Sequence, residues 1–289
     1  MQVKVEKQPK STLSINIIVP NDKVKETYVQ VLKEAVSAAE VPGFRKGQAP
    51  QNLIEDKLNT SELYGEVVNK LLQTYYPQAL KEHKISPISN PKVEIKEFEI
   101  EKDFEFTATV ATKPEFKINE YKADLKKLYE TKGVEHKGHD HETHLSANEI
   151  IDLLVKKTDL EVPQLLIDEE IERMLARLVD QTQVLGMSLE DYLKAQNKTA
   201  EQIRDDYKKS AETSIKAEFI LQQLINDEKI EVPDSEVDEA IAAVGDAKTQ
   251  EQMRTPLQKW YIKSVLAKNK LLNKLIEEAE GSKEKKNAK

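Results

Sequence analysis

Four short stretches in the N-terminal part of the chain alternate apolar and polar residues, as half-buried strands do. The clearest covers residues 13–19, and we expect it to pair with a strand around residues 3–6. Two more, at residues 93–100 and 104–110, follow a proline-containing turn and are predicted to form a hairpin. The alternation therefore predicts a small antiparallel sheet.

Apolar residues at helical spacing separate the two pairs of strands. One long helix is predicted over residues 21–39, with Asn21 as its cap, and another from Thr60 onward. Pro77 is expected to kink or break the second helix, because proline has no amide hydrogen for a helix interior. Strands, helices and strands in this order predict an α+β domain over residues 1–118.

The character of the chain changes after this domain. Residues 119–145 are rich in lysine, glutamate and histidine with little periodicity, so we interpret them as a linker. From residue 146 to 280 the spacing is helical, and the charged end at residues 281–289 is predicted to be disordered. The prediction for residues 146–280 is an all-α, extended domain. Its helices are expected to start near caps and prolines, namely Ser146, Pro163, Ser188, Thr199, Pro233 and Pro256.

Composition limits the possible classes of function. Charged residues make up 33% of the chain and the net charge is −8, so any contact with nucleic acid must come from a local basic spot. Cysteine is absent, which excludes disulfides and thiol catalysis. The N-terminus lacks the apolar block of a signal peptide, and no apolar run reaches about 18 residues, so we expect a cytoplasmic protein without a membrane span. No cofactor is expected, because neither a Walker loop nor a dinucleotide-binding glycine pattern occurs.

One short loop between the first two long helices concentrates scarce residue types. It contains two of the eight glycines, and its residues are Gly43, Phe44, Arg45, Lys46 and Gly47. Prolines flank it on both sides. Glycine permits a positive φ and proline fixes the direction of the chain, so a tight tip that displays one ring and two cations is expected. On composition alone, an ordinary turn with solvated cations explains the loop at least as well.

The loop resembles the ribosome-docking signature of the bacterial trigger factor family, over the run Gly43-Phe44-Arg45-Lys46-Gly47-Gln48-Ala49-Pro50. Further segments that look like this family occur in the same order along the chain, at residues 76–82, 91–95, 161–163, 167–178 and 186–199. The resemblance covers most of residues 1–118 and 146–280.

The resemblance implies an ATP-independent, ribosome-tethered chaperone, or holdase, that binds nascent polypeptides. In that family the loop lies beside the exit tunnel of the large ribosomal subunit, against a ribosomal protein and ribosomal RNA. Carried onto this chain, Phe44 is the packing anchor, and Arg45 and Lys46 are the partners for phosphates or acidic side chains. The expected clients are unfolded or nascent polypeptides, and the protein is expected to be a monomer or a weak homodimer.

The sequence departs from the family in its middle. Most trigger factors insert a prolyl isomerase domain of the FK506-binding type, and residues 119–145 are too few to fold as such a β-rich domain. We therefore expect no catalytic residues and no enzyme activity. Two alternatives stay open: a peptidyl-prolyl cis-trans isomerase, which the family as a whole implies, and a ribosome-free chaperone that binds clients or metal.

Four of the five histidines lie within residues 136–144. Imidazoles at this density can gather Zn²⁺, Ni²⁺ or Cu²⁺, so the candidate metal ligands are His136, His139, His141 and His144. A functional metal site needs fixed geometry, and nothing in the surrounding sequence predicts rigidity. A solvated linker is the preferred interpretation, and metal affinity is the alternative.

Apolar residues of the helical part are candidates for contact with a client. Each of them is more often a core residue than a binding residue at such spacing, so none is assigned as a site. The candidates are Leu178, Met187, Leu189, Tyr192, Phe219 and Trp260.

Overall fold

The structure, a computed structural model, describes residues 1–38, 60–135 and 145–281. The chain divides into two compact units. The sheet unit contains Met1–Pro114 and Pro163–Glu169, and the helical unit contains Glu115–Val162 and the residues from Glu170 onward. The predicted tail, residues 281–289, lies outside the described residues except for Gly281.

Four antiparallel strands form the sheet, in the order β1-β2-β4-β3. Their bounds are β1 Gln2–Gln8, β2 Thr12–Val19, β3 Lys92–Ile95 and β4 Phe104–Ala111. The register aligns one transverse row of residues across all four strands, Lys4, Asn16, Thr107 and Glu94. The pairing of β1 with β2 and the hairpin of β3 and β4 confirm the predictions, although β3 ends at Ile95, before the predicted residue 100.

One face of the sheet is buried and the other is polar. Ile15, Ile17, Phe104 and Phe106 are fully buried, and the residues between them on β2 and β4 are half-buried. Helices α1, Asn21–Ala38, and α2, Thr60–Glu82, contribute buried apolar residues to the same core. Strand alternation and helical spacing thus point their apolar sides at one another.

A continuous run of aromatic rings connects the two helices with the sheet. Tyr28 of α1 contacts Tyr64 of α2 edge-to-face at a centroid distance of 6.3 Å, and Tyr64 contacts Phe98 at 5.5 Å. Phe98 contacts Phe104 at 5.6 Å, and Phe104 stacks on Phe106 at 5.4 Å. Such pairs contribute about 0.5–1.5 kcal/mol each beyond the area that they bury.

The expected helix cap at Asn21 is not observed. Its side-chain amide donates to the carbonyl oxygens of Ile100 at 2.7 Å and Lys102 at 3.0 Å. The carbonyl of Pro20 instead accepts from the first turn of α1. The prediction failed because the connection between β3 and β4, far away in sequence, offers acceptors to this amide.

The break expected at Pro77 is also not observed, because α2 continues through it to Glu82. Pro77 is exposed, whereas Leu71 before it and Ala79 after it are fully buried. Burial on both sides of the proline keeps the helix continuous despite the missing hydrogen bond.

The helical unit is built around its last long helix. Its helices are α3 Lys122–Glu135, α4 Ala147–Lys157, α5 Gln164–Val184, which begins in the sheet unit, α6 Leu189–Ala195, α7 Ala200–Asp227, α8 Asp234–Ala242, α9 Ala247–Met253 and α10 Pro256–Glu280. Helix α10 contacts α3, α4, α7, α8 and α9. The buried core includes Ile150, Leu154, Ile220, Leu224 and Leu271.

Several predicted helix starts are confirmed by cap geometry. Ser146 and Thr199 each form a capping box, with Glu149 and Gln202 respectively. The Ser188 hydroxyl accepts from the amide of Asp191, and α10 starts at Pro256. Side-chain capping satisfies amides that have no partner in the first helical turn.

The interpretation of residues 119–145 as a linker is wrong for the part that the structure describes. Residues 122–135 form α3, and Tyr121 and Leu125 are buried in the core of the helical unit. Leu128 follows at helical spacing and packs against the same core. The many lysines between these residues obscured the stripe, and α10 supplies the packing that the local sequence does not reveal.

Within the described ranges, none of the helices combines the length and the apolar character of a membrane span.

Candidate functional site

The predicted docking residues, Gly43, Phe44, Arg45, Lys46 and Gly47, lie outside the described residues, in the range 39–59. The candidate metal ligands His136, His139, His141 and His144 also lie outside, in the range 136–144. Among the described residues, no group of three or more metal-binding side chains is close enough to hold an ion.

The helices on either side of residues 39–59, the segment that contains the predicted docking residues, pack against each other. Lys70 of α2 donates to the Glu34 carboxylate of α1 at 2.7 and 2.9 Å, and this contact holds the pKa of Glu34 below its usual value. Val31 of α1 and Leu63 and Val67 of α2 belong to the same buried core. The two helices that lead into and out of the segment are therefore fixed in one core.

A large apolar surface is exposed on the first half of α10. Leu257, Trp260 and Tyr261 are 72%, 68% and 60% exposed, and Val265 is partly exposed beside them. Their spacing of three, one and four residues places them on one side of the helix. We call these four residues the α10 apolar face.

Ion pairs on α10 neutralise the lysines that accompany this face. Lys259 donates to Asp238 at 2.6 Å and Lys263 to Asp234 at 2.8 Å, and both acidic residues belong to α8. These contacts join this half of α10 to α8. The two paired lysines therefore lie on the side of α10 that is turned toward α8, away from the α10 apolar face.

A groove runs beside the α10 apolar face, between α7 and α10. It has a volume of about 290 Å³, and its lining includes Ile225 of α7 and Trp260, Ser264 and Ala267 of α10. Ile225 and Ala267 are buried at its base, whereas Trp260 is exposed at its side. Gln222 and Lys263 complete the lining, so the groove combines an apolar base and indole with polar groups.

A second exposed apolar surface lies at the end of α5. Val184 and Leu185 are 88% and 69% exposed. The helix ends here because Gly186 adopts a φ of 68° and the amide of Met187 donates to the carbonyl of Thr182 at 2.9 Å. We call Val184 and Leu185 the α5 tip.

The structure separates the six apolar candidates of the helical part. Trp260 is exposed, Leu178 is buried, and the remaining four are half-buried: Met187, Leu189, Tyr192 and Phe219. Leu257, Tyr261 and the α5 tip were not among the residues predicted from the sequence. The sequence did contain a signal for the exposed residues of α10, because the first half of this helix carries apolar residues on two of its sides. Neighbouring helices lie against one of these sides only, so the other stays exposed.

Among the described residues, the largest pKa shifts belong to a cluster of paired charges around Glu228. Glu228, the cap of α7, accepts from Lys122 at 2.8 Å and also pairs with Lys274, and these bonds lower its pKa to about 2. Bonds to Glu228 and Glu278 hold the pKa of Lys122 well above its usual value. Burial, followed by the Glu228 charge, raises the pKa of Tyr121 to about 12. Every charge in the cluster is paired, so it joins α3, α7 and α10 without leaving a free acid or base.

Two family models match the chain. The model of the bacterial trigger factor protein (TF) matches residues 1–143, and the model of the bacterial trigger factor protein (TF) C-terminus matches residues 117–278. The two matched ranges overlap over residues 117–143.

Relatives with the name trigger factor align with parts of the chain. That of Desulforamulus reducens is 33% identical over 180 residues, which are 62% of this chain and 34% of the relative. That of Clostridium botulinum strain Hall is 36% identical over 129 residues, which are 44% of this chain and 30% of the relative. The chain thus matches about a third of the length of these relatives.

A solved structure from work on promiscuous substrate recognition in folding and assembly by the trigger factor chaperone has the same fold. The TM-score is 0.65 at 13% sequence identity, and the match covers 96% of this chain and 100% of the other. This likeness confirms the predicted fold class, a small antiparallel sheet with helices followed by a helical part. With both family models matched along its length, the chain belongs to the bacterial trigger factor family.

Proposed function

We propose that the protein is an ATP-independent, ribosome-tethered chaperone of the cytoplasm that binds nascent or unfolded polypeptides. The observation that carries this proposal is the α10 apolar face, where three large side chains are mostly exposed. An exposed apolar surface rimmed by polar groups is typical of an interaction site. Membership of the trigger factor family supports a polypeptide as the partner.

Client binding at this face is expected to be weak and reversible. Covering apolar surface yields about 25 cal/mol per Å². Ordering an unfolded chain and losing its translational freedom costs several kcal/mol in the opposite direction. A surface of four side chains, with the α5 tip as a second one, therefore favours holding at several points over tight binding at one.

The tether in this proposal is the loop of Phe44, Arg45 and Lys46 at the large ribosomal subunit near the exit tunnel. Two cations that neutralise about two phosphates give a slope of roughly −2 in log affinity against log salt. Docking is therefore expected to be modest and sensitive to salt. The packed helices α1 and α2 support this role, since they fix both flanks of the segment.

Co-sedimentation with ribosomes tests the tether. A Phe44→Ala/Arg45→Ala/Lys46→Ala variant is expected to lose at least about tenfold in ribosome affinity. The matched control replaces two lysines and one exposed valine elsewhere in the sheet unit, Lys25→Ala, Val29→Ala and Lys81→Ala, and is expected to bind as the wild type does. Equal ribosome binding by the loop variant and the control would contradict the proposal that this loop is the ribosome tether. Failure of the wild type itself to co-sediment, with aggregation still suppressed, favours a ribosome-free chaperone.

Suppression of aggregation tests the client surface. A Leu257→Ser/Trp260→Ser/Tyr261→Ser variant is expected to suppress light scattering by an unfolding client at least about fivefold less efficiently than the wild type. Three similarly apolar exposed residues of the sheet unit serve as the control, in a Val29→Ser/Ile88→Ser/Ile95→Ser variant. If both variants suppress aggregation equally well, the α10 apolar face is not the client surface.

We further propose that the chain has no prolyl isomerase activity. The overlap of the two matched ranges supports this, since it leaves no stretch of chain between them. Refolding of a client limited by proline isomerisation, measured with catalytic amounts of the protein, decides the point. If the protein accelerates the slow, proline-limited phase of refolding, the chain is a prolyl isomerase.

A further inference from the structure

The two edges of the sheet differ in length and in backbone character. Strand β1 pairs with β2 along all seven of its residues, without a bulge or a proline, and no described segment pairs with its other side. Strand β3, at the opposite edge, has four residues and directly follows Pro91. In an antiparallel pair, about half of the backbone groups of an edge strand point away from its partner. Among the described residues, β1 is thus the longer row of unpaired donors and acceptors.

The apolar residues on the core side of the sheet are less well buried on β1 than on the adjacent strand. Ile15 and Ile17 on the adjacent strand are fully buried, whereas Val3 and Val5, their neighbours in the register, are half-buried. Both valines pack against the core of the sheet unit. A further strand beside β1 would place its alternate side chains next to these valines and continue the layer.

The opposite face of β1 carries one neutralised pair of charges. Lys4 donates to Glu6 at 2.6 Å, and both side chains are exposed. Edge strands of proteins often carry unpaired charges that repel a further strand. In this pair each charge has its counter-ion, so the polar face of β1 disfavours neither acidic nor basic partners. Lys7, on the side of Val3 and Val5, is exposed and makes no ion pair with a described residue, so it disfavours basic partners at that end of the strand only.

We propose that the free edge of β1 binds an extended segment of a client polypeptide by strand addition. The class of partner rests on the proposed function, and the place and mode of binding rest on the sheet. Backbone hydrogen bonds would accept many sequences, and Val3 and Val5 would favour aliphatic residues at alternate positions. A suitable segment is about five to seven residues long and free of proline.

The register supplies a matched pair of positions for the test. Lys4 on β1 and Glu94 on β3 lie in the same transverse row, at opposite edges of the sheet. Each makes one exposed ion pair within its own strand, Lys4 with Glu6 and Glu94 with Lys92. The chain has no cysteine, so Lys4→Cys and Glu94→Cys each report a single site.

The probe is a short peptide of alternating valine and threonine with one central cysteine, in a thiol–disulfide buffer. Strand addition at β1 raises the local concentration of the peptide thiol, so Lys4→Cys is expected to form the mixed disulfide at least about tenfold faster than Glu94→Cys. A peptide of the same length, in which prolines replace the residues on both sides of the cysteine, should lose this advantage. Hydrogen exchange of the β1 amides in the wild type should slow with the first peptide only.

Three outcomes overturn the proposal: equal rates at the two cysteines, equal rates with the two peptides, or unchanged hydrogen exchange in β1. Rapid formation of a disulfide-linked dimer by Lys4→Cys without peptide would assign the edge to a second copy of the chain instead. These results are separate from the proposed function, because aggregation can still be suppressed through the α10 apolar face when strand addition fails. Loss of suppression in the wild type would contradict the proposed function itself.

Discussion

Lys122, at the first position of α3, donates to the carboxylate of Glu228 at the end of α7 across 2.8 Å. Lys274 of α10 pairs with the second oxygen of the same carboxylate, and the Tyr121 hydroxyl donates to the first at 3.2 Å. One acidic side chain therefore holds three helices together. Asp124, which accepts from Lys157 at 2.7 Å, joins α3 to α4 nearby.

Replacing Glu228 by glutamine should weaken the helical unit in a manner that depends on pH. The pKa of this carboxyl falls from 4.5 to about 2 in the folded protein, so its contribution is full above about pH 5 and is lost as the pH falls toward 2. Glu228→Gln is expected to reduce the free energy of unfolding by about 1–2 kcal/mol at neutral pH, less than the full shift implies because both lysines are partly exposed. Denaturant titrations at several pH values measure the difference.

The matched control for this prediction is Asp206→Asn. Asp206 pairs with Lys198 at 2.6 Å, but its side chain is 48% exposed, whereas that of Glu228 is 17% exposed. Its loss should change the free energy of unfolding by less than about 0.5 kcal/mol. A difference between wild type and Glu228→Gln that stays constant from neutral pH to about pH 3 would contradict the role of the carboxylate charge.

Replacing Tyr76 by phenylalanine should leave the sheet unit as stable or make it more so. The Tyr76 hydroxyl is buried without a hydrogen-bond partner among the described residues, and burial raises its pKa. Removing an unsatisfied polar group relieves a desolvation cost of about 1 kcal/mol. Thermal unfolding tests this, with Tyr75→Phe, a half-buried neighbour on α2, as the control. A loss of stability specific to Tyr76→Phe would reveal a bonded hydroxyl.

Glycine at position 229 should stabilise the end of α7. Lys229 has a φ of 51°, a left-handed conformation that is strained for residues with a Cβ atom, and the amide of Ile230 donates to the carbonyl of Ile225 at 2.9 Å. Lys229→Gly is expected to raise the free energy of unfolding by about 0.5–1 kcal/mol relative to Lys229→Ala. The alanine variant removes the same side chain but keeps the strain. Equal stability of the two variants would exclude backbone strain at this position.

Serine substitutions at the α5 tip should separate binding from stability. Val184 and Leu185 are largely exposed, so Val184→Ser/Leu185→Ser should change the free energy of unfolding by less than about 0.5 kcal/mol while lowering the suppression of aggregation. Leu178→Ser, on the same helix but buried, is expected to cost about 2–4 kcal/mol. Unimpaired suppression by the tip variant would restrict client binding to other surfaces.

Local patterns predicted the sheet unit well because each of its central strands has one buried side. The alternation at Ile15 and Ile17 and at Phe104 and Phe106 shows directly in the sequence. Helix caps such as Ser146 and Thr199 were predicted for the same reason, since a cap acts within three residues. Features that depend on distant partners were missed. Asn21 bonds to the connection before β4, and Pro77 is held in a helix by burial on both sides.

The helical unit shows the same limit more clearly. Tyr121 and Leu125 are separated by charged and small residues, and only the surface of α10 turns them into a core stripe. Periodicity at Leu257, Trp260 and Tyr261 predicts a helix but not which side of it is covered. The pairs of Lys259 and Lys263 with α8 turn the other side of α10 toward a neighbour. The docking loop stays a prediction from its motif.

The exposure of Trp260 gives the chain an optical reporter of its own. It is the single tryptophan, and it stands at the side of the groove between α7 and α10. In the free protein, its fluorescence emission should therefore have its maximum at a long wavelength and be readily quenched by iodide. When an apolar partner covers the indole, the emission maximum should shift to a shorter wavelength and the quenching by iodide should decrease. The sheet unit contributes only tyrosine emission, so titrating one unlabelled sample distinguishes events on α10 from unfolding elsewhere.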